Sequence, residues 1–377
     1  MRVVIIGAGP SGLFLSLLLK RSDLQVDLTV VEQNAQDSTF GFGVVFGENA
    51  VEFLREDDPE IFGAITPELE VWRDIAVVHR GTRVRIDGIG FSAIGRLRLL
   101  ELLQQQARAA GVTIQFNRTV TDLAEFGDAD LIVGADGVGS LVRRSDEAAF
   151  GATLSHLTNR FAWFGTTKVF DVLTQTFIET ETGALTAHHY RYSPKMSTFL
   201  IECNERTFFD SGFDRMSDDE ARGVLERRFA DALTGHPLIS NRSIWRQFPI
   251  IRNARWTSGN KVIIGDALHT AHFSIGSGTR LAIEDAIALA RALREHPHDV
   301  PTALEAFEVK RKPILDKLIT AANNSAAWYD NFGSHMALSP YDFAMSYLTR
   351  TGRMDIERVR RIAPAFVAEY ERRKSAA

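Results

Sequence analysis

The sequence predicts an α/β fold: a parallel, doubly wound sheet, interrupted by an inserted antiparallel sheet and followed by a helical C-terminal segment. Three observations carry this reading. Val3-Val4-Ile5-Ile6, the stretch Leu13–Arg21 and Leu28-Thr29-Val30-Val31 give strand, helix and strand in quick succession, as a parallel sheet requires. Further on, Phe161–Thr167, Gln175–Thr180, Leu185–Tyr192 and Ser197–Cys203 follow one another as strands with no helix between them. From residue 279 the apolar spacing becomes helical almost to the end.

The elements can be justified in order. The first run is β-branched and ends at Gly7, which suits a strand buried on both faces. Phe40–Phe46 (FGFGVVF) reads as a glycine-spaced loop, and Val71–Phe91 has strand character that assigns it to the second sheet. Residues 96–110 (RLRLLELLQQQARAA) form a helix closed by Gly111, and Val112–Phe116 and Leu131–Val133 are further strands. A helix is predicted over 218–232, and Lys261–Gly265 returns to the buried-strand style of the N terminus. Helices follow over 279–294, most of 301–329, 342–350 and 356–373. The first domain is therefore discontinuous, comprising residues 1–70, 92–155 and 257–320. Residues 71–91 and 156–256 make the second domain, and 321–377 the helical segment.

Composition removes several classes. Forty-three basic against 48 acidic residues give a net charge of −5, which argues against a protein that coats nucleic acid. The single cysteine, Cys203, rules out an intrachain disulfide framework and a Cys-cluster metal site, and no metal is expected. The uncharged stretch Val3–Leu19 is broken by Gly7, Gly9, Pro10 and Gly12 and is too short to span a membrane. No small-residue cleavage site follows it. A cytoplasmic protein without a membrane partner is expected, as monomer or homodimer.

Gly7-Ala8-Gly9-Pro10-Ser11-Gly12 fits G-x-G-x-x-G between a strand and a helix. In that pattern the first glycine permits a tight turn, the second lets a pyrophosphate approach the backbone, and the third lets helix and strand pack closely. The helix N-terminus offers unpaired N–H groups to a phosphate, and Glu32, at the end of the next strand, can accept from ribose hydroxyls. Turn and acid alone do not separate FAD from NAD. Two later clusters do. Asp130–Gly137 (DLIVGADG) delivers Asp136 and Gly137 to the carboxyl edge of the sheet. Gly265–His269 (GDALH) places Asp266 where a ribityl hydroxyl would lie, and Gly276-Ser277-Gly278-Thr279 then opens a second helix whose dipole would stabilise negative charge on a reduced flavin.

With GAGPSG, GADG and GDALH in that order, the chain resembles, over essentially its whole length, the single-component FAD-dependent aromatic hydroxylases of the p-hydroxybenzoate hydroxylase type. The resemblance implies FAD as cofactor, held by the motif residues just named, with Arg96 near the pyrophosphate. It also implies NADH or NADPH as a transient co-substrate, and hydroxylation of an aromatic ring by O2 through a flavin C4a-hydroperoxide. The chain departs from the common pattern where His272-Phe273 replace prolines and Arg280 replaces asparagine. Residues 271–286 (AHFSIGSGTRLAIEDA), with FGFGVVF, FGTTKVFD (164–171), AHHY (187–190) and MSTFLIEC (196–203), are similar to a narrower branch. That branch acts on aryl-CoA thioesters and on tryptophan-derived rings. The implied substrate is salicyloyl-CoA, hydroxylated at the 5-position to gentisyl-CoA. The alternatives are a tryptophan-derived or other aromatic substrate in secondary metabolism, or a flavin-fold binding protein without turnover, which the intact GADG and GDALH motifs disfavour.

A base beside a ring hydroxyl would activate the ring, and histidine suits that role near neutral pH. His188 and His189 fall on opposite faces of a strand. His188, with Tyr190 on its face, is assigned to the substrate side; the competing reading is a structural sheet histidine. His272, beside the Gly-Ser-Gly turn, is either a catalytic or substrate contact or part of the turn. Phe46 and Phe273 are candidate lining residues. Arg191 is a candidate cation for CoA phosphates, as are Lys195, Arg252 and Arg255. His269 is expected to hold the end of the GDALH strand.

Overall fold

A computed structural model describes residues 1–47 and 52–376. The first sheet has six strands, in the order Thr257–Ser258, Lys261–Ile263, Leu131–Gly134, Arg2–Ile6, Asp27–Val31 and Thr113–Gln115. All its pairs are parallel except the short first one. The central strand is β-branched and buried from Val3 to Ile6, because helices cover the sheet. Helix Pro10–Lys20 packs against helices Arg96–Ala109 and Gly278–Glu295.

The second sheet has eight strands. Its path runs Leu238–Ser240, Ala152–Thr166, Met196–Cys203, Gly183–Ser193, Leu173–Thr180, Ile75–His79 and Thr82–Ile86, with Arg246–Asn253 also paired to Ala152–Thr166. One pair departs from the expected antiparallel pattern: Ile75–His79 runs parallel to Leu173–Thr180. The chain between them passes through the first sheet, so no hairpin dictates their sense.

A third, three-stranded sheet joins Gly43–Gly47, Phe91–Gly95 and Glu70–Trp72. The stretch FGFGVVF was expected as a loop, yet its second half is a strand, registered Gly43 to Gly95 and Gly47 to Phe91. Its partner is distant in sequence, so no local pattern announces the pairing.

Helix Val300–Asp330 runs 31 residues with Pro313 inside it. The two helices predicted over 218–232 and 356–373 are each divided. The first breaks at Phe229. The second splits at Ala363, because a residue before proline (Pro364) is pushed out of the helical region. The C-terminal helices bury Phe343, Tyr347 and Phe366 against Val77, Ile86 and Phe177 of the second sheet. Among the described residues, no helix is long and apolar enough to cross a membrane.

Candidate active site

The first turn is shaped by contacts that exclude side chains. Gly7 has φ +105°, and a Cβ there would lie 2.3 Å from the Ala135 carbonyl oxygen. A Cβ on Gly12 would lie 2.1 Å from the Gly7 carbonyl oxygen. Gly9 differs, because a Cβ there would project into open space. Helix Pro10–Lys20 begins on Gly9 with no side-chain cap, so the N–H groups of its first turn remain available to an anion. Glu32 is locked at this turn: Oε2 accepts from the Ala8 amide at 2.9 Å, and Oε1 from the Asn34 amide and Nδ2, each at 2.8 Å.

Asp136 accepts from the amides of Leu141 (2.6 Å) and Val142 (3.3 Å). Burial raises its pKa against these bonds, and its Oδ1 is buried without a partner. Gly137 turns with φ +73°. Arg143 donates to the Ala267 carbonyl at 2.7 Å and to the Val138 carbonyl, fastening the GADG and GDALH turns together.

At the GDALH turn, Asp285 Oδ2 accepts from the Gly265 amide at 3.1 Å and lies 2.7 Å from His269 Nε2, while Arg311 Nε donates to Oδ1 at 2.9 Å. His269 is thus structural, as expected. Asp266 is enclosed deeply enough that burial raises its pKa, yet its surface is solvent-accessible. Arg96 is near enough to feel it: burial lowers the Arg96 pKa, and the Asp266 charge opposes that. Gly276 turns with φ +60° against Val45, and helix Gly278–Glu295 starts from Ser277, whose hydroxyl donates to the Ile275 carbonyl instead of capping the helix. Gly278 and Thr279 form the uncapped first turn. These residues fit FAD: an open glycine and free helix amides for the pyrophosphate, a fixed carboxylate for the ribose, the exposed Asp266 carboxylate for the ribityl chain and a second uncapped helix for the ring.

On the second sheet, Tyr190 donates its hydroxyl to the Gly43 carbonyl at 2.9 Å. The Gly43 amide donates in turn to Thr198 Oγ1 at 3.0 Å. Burial raises the Tyr190 pKa, so the phenol stays neutral and stitches strand Gly43–Gly47 to the sheet. Phe46 is buried in the same hydrophobic core as Val3–Ile6.

His188 lies on the Tyr190 face, its ring 4.9 Å from Tyr329 and 5.4 Å, edge-on, from Phe273. His189 points the other way, onto Phe199 and Thr176 Oγ1. His272 sits 5.1 Å from the Phe248 ring, with Nδ1 2.8 Å from Ser274 Oγ. Between the two histidines stands Glu202, buried, with Oε2 3.6 Å from His188 Nε2 and Oε1 3.7 Å from His272 Nε2. Asn159 Nδ2 donates to Oε1 at 2.8 Å. Burial lowers the pKa of His188 to about 3, aided by the charge of Arg350. Burial likewise lowers His272 to about 4, with Glu202 opposing, and raises Glu202. The sequence reading passed over Glu202. The signal was a lone acid in the apolar run MSTFLIEC.

Arg191 is placed otherwise than expected. It donates to Glu70 Oε2 at 2.7 Å and to the carbonyls of Phe170, Asp171 and Val71, clamping three chain segments together. Arg252 instead lines a cleft of about 420 Å³, with His156, Asn323 and Asp330.

Two uncapped helix ends, the carboxylate of Asp266 between the glycine turns and a separate sheet carrying an aromatic-walled polar cluster are the arrangement of a flavoenzyme. The chain belongs to the FAD binding domain family, whose model matches residues 1–322. It is similar to salicyloyl-CoA 5-hydroxylase of a Streptomyces species, with 41% identity over 361 residues, 93% of this chain and 70% of that one. It is 36% identical to 3-hydroxy-4-methyl-anthranilyl-(aryl-carrier protein) 5-monooxygenase of Streptosporangium sibiricum, over 87% of this chain and 89% of that one. Protodeoxyviolaceinate monooxygenase of Chromobacterium violaceum is 31% identical over 93% and 94%. In fold the chain resembles the tetrameric form of 2-methyl-3-hydroxypyridine-5-carboxylic acid oxygenase, with a TM-score of 0.70 and 19% identity over 93% of this chain and 95% of that one. The protein is an FAD-dependent aromatic monooxygenase of the kind that uses NAD(P)H as co-substrate.

Proposed function

We propose that the protein hydroxylates an aryl-CoA thioester in the cytoplasm, converting salicyloyl-CoA, O2, NAD(P)H and a proton to gentisyl-CoA, NAD(P)⁺ and water. The observation that carries the reading is the neutral His188 beside Glu202 and His272, walled by Phe273 and Tyr329 where the second sheet meets the flavin turn. A substrate hydroxyl needs a base there, and the aromatic walls exclude water from it. The likeness to two enzymes named for aryl groups on CoA or an aryl-carrier protein supports a thioester substrate.

Residues 1–70, 92–155 and 257–320 are assigned to the cofactor unit, and 71–91 and 156–256 to the substrate unit. FAD, when bound and reduced by NADH or NADPH, supplies the electrons that activate O2. The protein holds it by the Gly7–Gly12 turn, Glu32, Arg96, Asp136, Gly137, Gly265, Asp266 and the Gly276–Thr279 turn. His188 accepts the proton of the ring hydroxyl, His272 and Phe273 flank it, and Tyr190 positions the strand beneath. Arg252, at the cleft, is assigned to the CoA phosphates in place of Arg191, whose donors are committed elsewhere.

The test is anaerobic reduction of the flavin by NADH and by NADPH with salicyloyl-CoA, free salicylate or tryptophan added. Stimulation by the CoA ester alone, with gentisyl-CoA formed in air, supports the reading. Absence of stimulation by that ester sinks it.

A further inference from the structure

A directional chain of hydrogen bonds reaches the base site from the C-terminal helices. Arg350 Nε lies 2.9 Å from Ser325 Oγ, which lies 2.7 Å from Ser274 Oγ, which lies 2.8 Å from His272 Nδ1. Arginine only donates, so Ser325 accepts from it; donating its own hydroxyl hydrogen to Ser274 is then the arrangement that leaves no hydroxyl hydrogen of the chain without an acceptor. Ser274 then donates to His272 Nδ1. Arg350 Nη2 also donates to the Ser274 carbonyl at 2.8 Å, holding the turn in place. A neutral imidazole that accepts at Nδ1 carries its hydrogen on Nε2, and Nε2 faces Glu202 Oε1. Oε1 accepts from Asn159 and has the His272 N–H facing it at 3.7 Å, longer than a hydrogen bond. Glu202 Oε2 and His188 Nε2 face each other at 3.6 Å, and both are buried without a hydrogen-bond partner. Two orphaned polar atoms in that relation have room for one shared proton, and such contacts tighten when substrate arrives.

We propose that Glu202 is a further member of the acid–base site: it exchanges one proton with His188 across the Oε2–Nε2 gap, while His272, with its N–H facing Oε1, orients the Glu202 carboxylate electrostatically. The inference rests on His188 being the base of the proposed function. In the step, the O–H bond of the ring hydroxyl breaks and its proton goes to one nitrogen of His188. The imidazole gives its Nε2 proton to Glu202 Oε2, so no charge accumulates on the ring. The reverse transfer returns the proton afterwards. Burial supports this division, because it raises the proton affinity of Glu202 and lowers that of His188. The groups facing Glu202 from the surrounding elements are His188, His272, Asn159, Tyr329 and Asp330, with Cys203 adjoining on its own strand and Arg350 acting on His188 and His272.

The test is nitrogen NMR of the ¹⁵N-histidine-labelled holoenzyme across pH, without aromatic substrate. His272 is expected as the Nε2–H tautomer, and Ser274→Ala is expected to release it to a mixture. The His188 signals should move in one step as Glu202 ionises. Glu202→Gln should abolish that step or shift it by at least one pH unit, while Glu202→Asp retains it. An Nδ1–H tautomer at His272, or a His188 profile that Glu202→Gln leaves unchanged, would overturn the proposal. If Glu202→Gln loses its flavin, the His272 tautomer in unsubstituted and Ser274→Ala holoenzyme decides alone. Because no aromatic substrate is added, failure here leaves the salicyloyl-CoA reading standing, and failure of salicyloyl-CoA turnover leaves this result intact.

Discussion

Asp285 binds His269 across 2.7 Å between two elements that are sixteen residues apart in sequence. The same carboxylate holds Arg311 and the Gly265 amide, so the flavin turn and two long helices meet at one buried ion. Removing it leaves the buried Arg311 with Glu284, 2.9 Å away, as its one remaining carboxylate, and strips His269 of its partner. Asp285→Ala should cost about 3–5 kcal/mol of stability, read as a lower Tm and loss of flavin on desalting. An unchanged Tm would show the network to be incidental.

The same ion sets a pH limit. Burial works to raise the Asp285 pKa, and His269 and Arg311 outweigh it, so the pKa lies below its ordinary value. A depressed folded pKa gives stability that is present above the unfolded value, about 3.9, and is lost as pH falls through the folded one. Flavin should stay bound at pH 5 and dissociate below about pH 4. Release is followed by flavin fluorescence, and Asp285→Asn should flatten this acid limb.

Two glycines of the first turn should fail in different ways. Gly12→Ala forces a Cβ onto the Gly7 carbonyl and should destabilise the apoprotein. Gly9→Ala meets nothing, so the apoprotein should keep its Tm while FAD binds at least about tenfold more weakly, because the methyl enters the space where the pyrophosphate would approach. Equal FAD affinity in Gly9→Ala would disprove the cradle.

His188→Ala should still accept hydride from NAD(P)H but release hydrogen peroxide in place of hydroxylated product, with hydroxylation slowed about 10²-fold or more. Peroxide yield against product yield is the measurement. A wild-type product yield would remove His188 as the base.

Arg252→Glu should raise KM for salicyloyl-CoA about tenfold, leave kcat unchanged and leave any effect of free salicylate unaltered, as expected when uniform binding to a phosphate is lost. Arg191→Ala should instead lower Tm, because it opens the clamp on Glu70 and three carbonyls. The reverse pattern would return the phosphate role to Arg191.

The cofactor half of this picture was legible because its signals are local: a glycine turn, an acid at a strand end and a second glycine turn each carry their meaning within a few residues. The substrate half depends on partners. Gly43–Gly47 reads as loop until Phe91–Gly95 is beside it. Glu202 is one acid in an apolar strand until two histidines converge on it. Arg191 looked like a free cation because nothing in AHHYRY discloses Glu70. The helix break at Ala363 was readable from Pro364, and the helical spacing on either side hid it.

The match to the flavin-binding family ends at residue 322, whereas Ser325, Tyr329 and Arg350 all lie beyond it. The groups that exchange the proton, His188, Glu202 and His272, thus lie inside the matched stretch, while part of their support is contributed from outside it. Changes confined to the terminal helices would therefore retune the acid–base site without replacing any residue of the flavin turns.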